Sequence, residues 1–212
     1  MVPNNIQIKT LAGVLVFVLV TEVLAIIGAD RMPLPGLALL GIVRIVQIIG
    51  ILGMVLCWEK GLAAIGWAPG TWGRGLIRGA VWSLGFAVAA AIGMVVIYLS
   101  GKNPLTFVRA PLPKPGVELI LFFLVGGLIG PLAEEICFRG ILYTYFRRWG
   151  VLFAIIASTA VFVGLHAVHG LPLTQIVGGI VFAVAYETSR NLMVPITIHV
   201  LGNLALFSLS LV

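Results

Sequence analysis

Apolar residues run in long blocks along this chain, and polar residues collect in the gaps between them. A helix needs about 20 such residues to cross a membrane. The pattern predicts spans at roughly 10–29, 37–57, 76–99, 116–132, 151–168, 171–187 and 193–211. Pro33, Pro35 and Gly36 punctuate the first turn. Gly61 to Gly79, with Trp67, Trp72, Arg74 and Arg78, reads as an interfacial loop or short surface helix. Lys102 to Pro115 holds four prolines and reads as an extended linker. From Gly116 the apolar character continues past Pro131 to Gly150. That stretch is one overlong helix kinked near Pro131, or two consecutive helices. The expected fold is all-α, a polytopic transmembrane bundle of about seven to eight helices with a mid-membrane cavity. Residues 1–212 are expected to form one integral membrane domain, with N-terminal spans and linker over 1–115 and a C-terminal core over 116–207 that carries three polar motifs.

Composition agrees with the pattern. Of 212 residues 61% are hydrophobic and 9% charged, with mean hydropathy +1.18. A soluble domain carries about a quarter charged residues, so the chain reads as an integral membrane protein. The net charge of +6 does not point to nucleic acid, because the basic residues lie at junctions between apolar runs. For seven spans, the N-terminal side collects Lys9, Lys60, Arg74, Arg78, Arg147, Arg148 and Arg190, against Arg31, Lys102, Arg109 and Lys114 opposite. That bias predicts a cytoplasmic N-terminus. The run from Leu11 to Gly28 after Lys9 imitates a signal peptide but is long for one, and reads as a retained span. Cys57 and Cys137 form no disulfide framework or CxxC pair.

Few ionisable residues fall inside the spans, where each is costly and points to function. Glu22 and Arg44 lie about 10 Å from their shared turn, so antiparallel neighbours can pair them. Snorkelling of both to the interface is the alternative. Glu118 and Glu187 lie at span ends and read as solvated.

The remaining polar residues form three signatures: Glu134-Glu135-Ile136-Cys137-Phe138-Arg139, Phe162-Val163-Gly164-Leu165-His166 and His199-Val200-Leu201-Gly202-Asn203. Adjacent helical glutamates point about 100° apart. Arg139 is four residues after Glu135, the spacing of a helical ion pair. Glu135 is thus the better candidate for structural support, and Glu134 for a base. A kink stabilised by Glu–Arg pairing, without chemistry, is the bland alternative. His169 reads as a loop residue, because His-Gly-Leu-Pro marks a helix end. His199 and Asn203 share one helix face and can hold a developing oxyanion, or simply pack helices through a hydrogen bond. Counted from the helix ends at about 1.5 Å per residue, Glu134 lies about 21 Å deep, His166 about 24 Å, Asn203 about 18 Å and His199 about 12 Å. Helix tilt and side-chain reach bring the four together near mid-membrane.

In this order the EExxxR, FxxxH and HxxxN signatures resemble the CAAX-processing and bacteriocin-processing (CPBP, or Abi) family of intramembrane proteases, over about residues 116–207. The resemblance implies that Glu134 and His166 activate the attacking water. Glu135 and Arg139 buttress them, and His199 and Asn203 stabilise the tetrahedral intermediate. It also implies a membrane-embedded or membrane-anchored substrate, prenylated or C-terminally anchored, the latter as in the myxosortase-like bacterial branches. The family is often labelled metalloendopeptidase. A divalent metal such as zinc is permitted, with Glu134, His166 and His199 as ligands. The HExxH spacing is absent, however, and a glutamate-activated water fits as well or better. Two other readings are a noncatalytic scaffold or immunity protein that binds a peptide in the same pocket, and a small proton-coupled transporter. The halves lack the inverted symmetry expected of the last.

Overall fold

The computed structural model describes residues 6–29, 31, 34–166 and 172–211. Seven helices are described: α1 (Ile8–Ala29), α2 (Gly36–Trp58), α3 (Trp72–Leu99), α4 (Val117–Trp149), α5 (Val151–Leu165), α6 (Leu173–Ser189) and α7 (Met193–Leu209). No strand occurs among the described residues. The first four helices are long and apolar enough to cross a membrane, and this is an integral membrane protein of the all-α polytopic class. Helix α5 has only 15 residues, and α6 and α7 have 17 each.

Hydrogen bonds between distant segments identify the two ends of the bundle. At the first, the Arg148 guanidinium donates to the Ile6 carbonyl at 2.5 Å, and the Leu192 amide to the Gly66 carbonyl at 2.9 Å. At the second, the Ala110 amide donates to Ser210 Oγ at 2.9 Å. Helix α4 runs through the middle, with Ile136, Ile141 and Tyr143 fully buried. Helix α3 is peripheral and leaves Leu84, Ile92 and Leu99 exposed, as suits side chains that meet lipid. It docks on α7 through Gly75 and Gly79, where a methyl group would collide with Met193 and Thr197. Small residues at this spacing let two helix backbones approach closely.

The stretch from Gly116 is therefore one helix of 33 residues. It is not uniform: Phe122–Ile129 and Ile136–Tyr143 are π-helical, and the α-helical turn Gly130–Glu135 lies between them. Helix α3 begins four residues earlier than the pattern suggested, and the preceding loop contains a short 3-10 turn, Leu62–Ile65. The proline-rich linker also contains one, Pro104–Phe107, because Asn103 caps it by accepting from the Leu105 amide.

Glu22 and Arg44 do pair, and Gln47 and Thr21 complete the cluster. The expected solvation of Glu187 is wrong. Its carboxylate accepts from Tyr143 at 2.6 Å, from Arg147 through two nitrogens at 3.0 Å, and from Arg190. The cause is tertiary: the α4 end and the α6–α7 turn meet there, so local cations replace water. Glu118 is exposed, as expected.

Candidate active site

The site is assembled by backbone groups that the helices leave unpaired. In the first π segment the Gly130 amide bonds to the Val125 carbonyl, five residues back. In that register the next carbonyl, Gly126, would pair with residue 131. Pro131 has no N–H to give. The Gly126 carbonyl instead accepts from Asn203 Nδ2 on α7, at 2.9 Å. Pro131 thus exposes an acceptor, and Asn203 is held by it. One Asn203 N–H is committed there, and the other remains available as a donor.

His166 is placed by the same principle at another helix end. It was expected inside a span reaching residue 168, but α5 stops at Leu165 and His166 is extended, with φ −94° and ψ 96°. The His166 amide bonds to the Val163 carbonyl at 3.1 Å, which frees the carbonyl of Phe162. His166 Nδ1 lies 2.7 Å from that oxygen. A carbonyl only accepts, so Nδ1 carries the hydrogen, and in the neutral form of the ring Nε2 is the bare nitrogen. The sequence expectation for His169 falls outside the described residues.

The two glutamates separate as their spacing suggested. Glu135 and Arg139 are fully buried and paired at 2.9 Å. Glu135 Oε1 also lies 2.8 Å from His199 Nδ1, which donates to it. Arg139 donates further to the Gly179 carbonyl on α6 at 3.1 Å. Its guanidinium carbon lies 5.9, 5.1 and 5.2 Å from the ring centres of Phe138, Phe162 and Phe182. A buried cation surrounded by aromatic faces is held by their quadrupoles as well as by its carboxylate.

Glu134 is different. Its Oε2 lies 3.8 Å from His166 Nε2 and 3.8 Å from His199 Nε2, with the side chain 24% exposed. Both distances are too long for direct hydrogen bonds. Three elements, α4, the α5 end and α7, thus aim polar atoms at one small region. Asn203 lies one turn beyond His199 on the same face, and its bond runs to Gly126 rather than to the other site residues.

Sequence reasoning missed Phe182, which stacks on the His199 ring at 4.5 Å and fixes its plane. It also gave no role to Phe162, which touches the His166 ring at 4.3 Å as well as Arg139. The one available signal was Gly178-Gly179 in an apolar helix, a mark of close approach. Two cavities lie elsewhere in the bundle. One of about 340 Å³ is lined by Val81, Trp82, Gly85, Phe86 and Val181. The other, of about 240 Å³, lies at the first end of the bundle.

Tetrahedral zinc ligands lie about 3.4 Å from one another, given bonds of about 2.0–2.2 Å. Glu134 Oε2 is 3.8 Å from each imidazole nitrogen. Among the described residues no group of three His, Cys, Asp or Glu side chains is arranged to hold a metal ion. As placed, these side chains do not fit one.

Comparison with known proteins matches the same part of the chain. Residues 116–205 match the family model for type II CAAX prenyl endopeptidases, Rce1-like. A candidate membrane peptidase, YdiL, of Bacillus subtilis (strain 168) is 31% identical over 84 residues. That alignment covers 39% of this chain and 34% of the relative, so the chain spans about a third of the relative's length. No solved structure matches the chain.

Proposed function

Since the chain belongs to the CPBP family through residues 116–205, we propose that it is an intramembrane endopeptidase using a glutamate-held water. The observation that carries this reading is Glu134 facing two imidazole Nε2 atoms at 3.8 Å each. One water can bridge groups at that separation, with bonds of about 2.8 Å. It donates one hydrogen to Glu134 and the other to His166 Nε2.

The steps follow from the donors available. The water oxygen attacks the scissile carbonyl carbon, and its proton passes to Glu134. Negative charge builds on the carbonyl oxygen, where Asn203 offers its second N–H. His199 can donate from Nε2 only as an imidazolium, because Glu135 holds its Nδ1–H. Glu134 then passes its proton to the departing amide nitrogen as the C–N bond breaks, leaving a carboxylic acid and an amine, and the acid's proton moves to the amine to give carboxylate and ammonium. Glu135, Arg139, Phe162 and Phe182 are positioning residues, since they act through the imidazoles.

The substrate class we propose is a membrane-associated peptide or protein, prenylated or anchored at its C-terminus. Helix α5 is about 22 Å long at 1.5 Å per residue, shorter than a bilayer core of about 30 Å. His166, at its second-end terminus, therefore lies where an extended peptide and water can approach. The basic residues collected at the first end make that face cytoplasmic in a bacterial inner membrane.

The test is mass spectrometry of cleavage products from a panel of prenylated and C-terminally anchored peptides, with and without chelator. Wild type is expected to release a defined product that persists in chelator, whereas Glu134→Ala releases none. Equal cleavage by Glu134→Ala would overturn the assignment, and loss of activity in chelator would replace the water mechanism with a metal one. A noncatalytic peptide-binding scaffold predicts bound but uncut peptide in both.

A further inference from the structure

The cavity of about 240 Å³ at the first end of the bundle is lined by Gly66, Thr71, Arg74, Arg78, Arg190 and Asn191, among others. Three arginines on one small cavity is costly unless an anion offsets them. Arg190 is already offset, because it donates to Glu187. Arg74 and Arg78 have no carboxylate partner among the described residues, and both are exposed. They lie four residues apart on the first two turns of α3, so they project from one face. Helix α3 has no acidic residue in its first turn, which leaves its positive end uncompensated as well.

The walls are held in place before any ligand arrives. The Leu192 amide bonds to the Gly66 carbonyl at 2.9 Å, and Asn191 Nδ2 to the Thr71 carbonyl at 3.0 Å. Gly66 has φ +71° and lets the Arg190 carbonyl approach its α-carbon, where a side chain would not fit. Trp67 and Trp72 lie next in sequence to the lining residues Gly66, Ala68 and Thr71, with ring centres 6.0 Å apart, and tryptophan is enriched at headgroup depth.

We propose that this cavity binds the phosphate of an anionic lipid headgroup, with Arg74 and Arg78 as its principal cations. The position favours a lipid over a soluble anion: the cavity lies at the helix ends, and the exposed apolar surface of α3 continues directly from it through Leu76 and Ile77, 47% and 68% exposed. Basic clusters between transmembrane helices recognise headgroups in this way. The site's wall includes Asn191, just before α7, and Gly75 and Gly79 seat α3 against that helix, which carries His199.

Native mass spectrometry of the full chain, released from mixed phosphatidylcholine and phosphatidylglycerol nanodiscs, reads which lipid is retained. Wild type is expected to retain phosphatidylglycerol preferentially. Arg74→Gln with Arg78→Gln should lower that preference about 25-fold, at about fivefold per cation. Lys9→Gln with Lys60→Gln removes the same charge from the same end and should leave it unchanged. If the double arginine variant does not fold, Arg78→Gln alone should show about a fivefold loss. Retention equal to wild type in the arginine variants, or an equal loss in the lysine variant, overturns the site. Saturable binding of inorganic phosphate by the detergent-solubilised protein, without phosphatidylglycerol retention, overturns the lipid assignment.

Discussion

Two polar clusters sit among the apolar helices, and they differ in how completely their members are paired. Between α1 and α2, Gln47 donates to both Thr21 and Glu22 at 2.9 Å, and Arg44 donates to Glu22 and Gln47. Every charge there has a direct partner, and such a cluster can do little but hold two helices together. Between α4, α5 and α7, Glu135 and Arg139 pair in the same manner. Glu134 beside them does not, since its nearest basic atoms stand at 3.8 Å. A closed network stabilises, whereas a supported but unpaired carboxylate has capacity left for a substrate proton. Charge inside a membrane protein therefore marks chemistry most clearly where the pairing is incomplete.

The contrast can be broken at its strongest point first. Glu134→Gln should lower peptide hydrolysis at least about 10²–10⁴-fold, with the helical circular dichroism spectrum and melting temperature retained. Residual activity near wild type would put Glu134 on the structural side with Glu22. Asn203→Ala should lower kcat by about 10²–10³ with a smaller change in KM, as for loss of one oxyanion donor. A pure KM effect would make Asn203 a packing residue that merely satisfies Gly126.

Arg139→Met tests support rather than chemistry. It leaves Glu135 buried without its cation and held only by the His199 Nδ1–H, and should destabilise the protein by about 3–5 kcal/mol, read as a lower melting temperature in detergent. The double change Glu135→Gln with Arg139→Met should recover much of that stability but not activity, because His199 loses its carboxylate. Smallest of all, Glu22→Gln should cost about 0.6 kcal/mol, typical of a polar contact between membrane helices, and leave hydrolysis unchanged. A large loss of activity there would mean that the two clusters are coupled.

Part of this site was legible along the chain because helical spacing is a local property. The pairing of Glu135 with Arg139 needs only four residues and one turn. Glu22 and Arg44 were legible as a pair because equal distance from a shared turn sets equal depth. Gln47 was not, since its role depends on the rotation of α2 against α1. Glu187 was misread for a related reason: a residue at a span end faces water only if no other segment returns to it, and Arg147 does. His166 was placed in a helix by its apolar neighbours, yet α5 ends before it.

By itself the sequence determined the all-α membrane class, a count of about seven to eight helices and the separation of Glu134 from Glu135, because hydrophobic length and helical period are one-dimensional quantities. Tertiary structure decided what each polar atom points at. Gly126 accepts from Asn203 because Pro131 cannot donate within a π-helical register, and His199 is oriented by Glu135 and Phe182 from two other helices. Those partners lie far away in sequence, and hydrogen bonds depend on distance and angle in three dimensions, so no spacing along the chain encodes them.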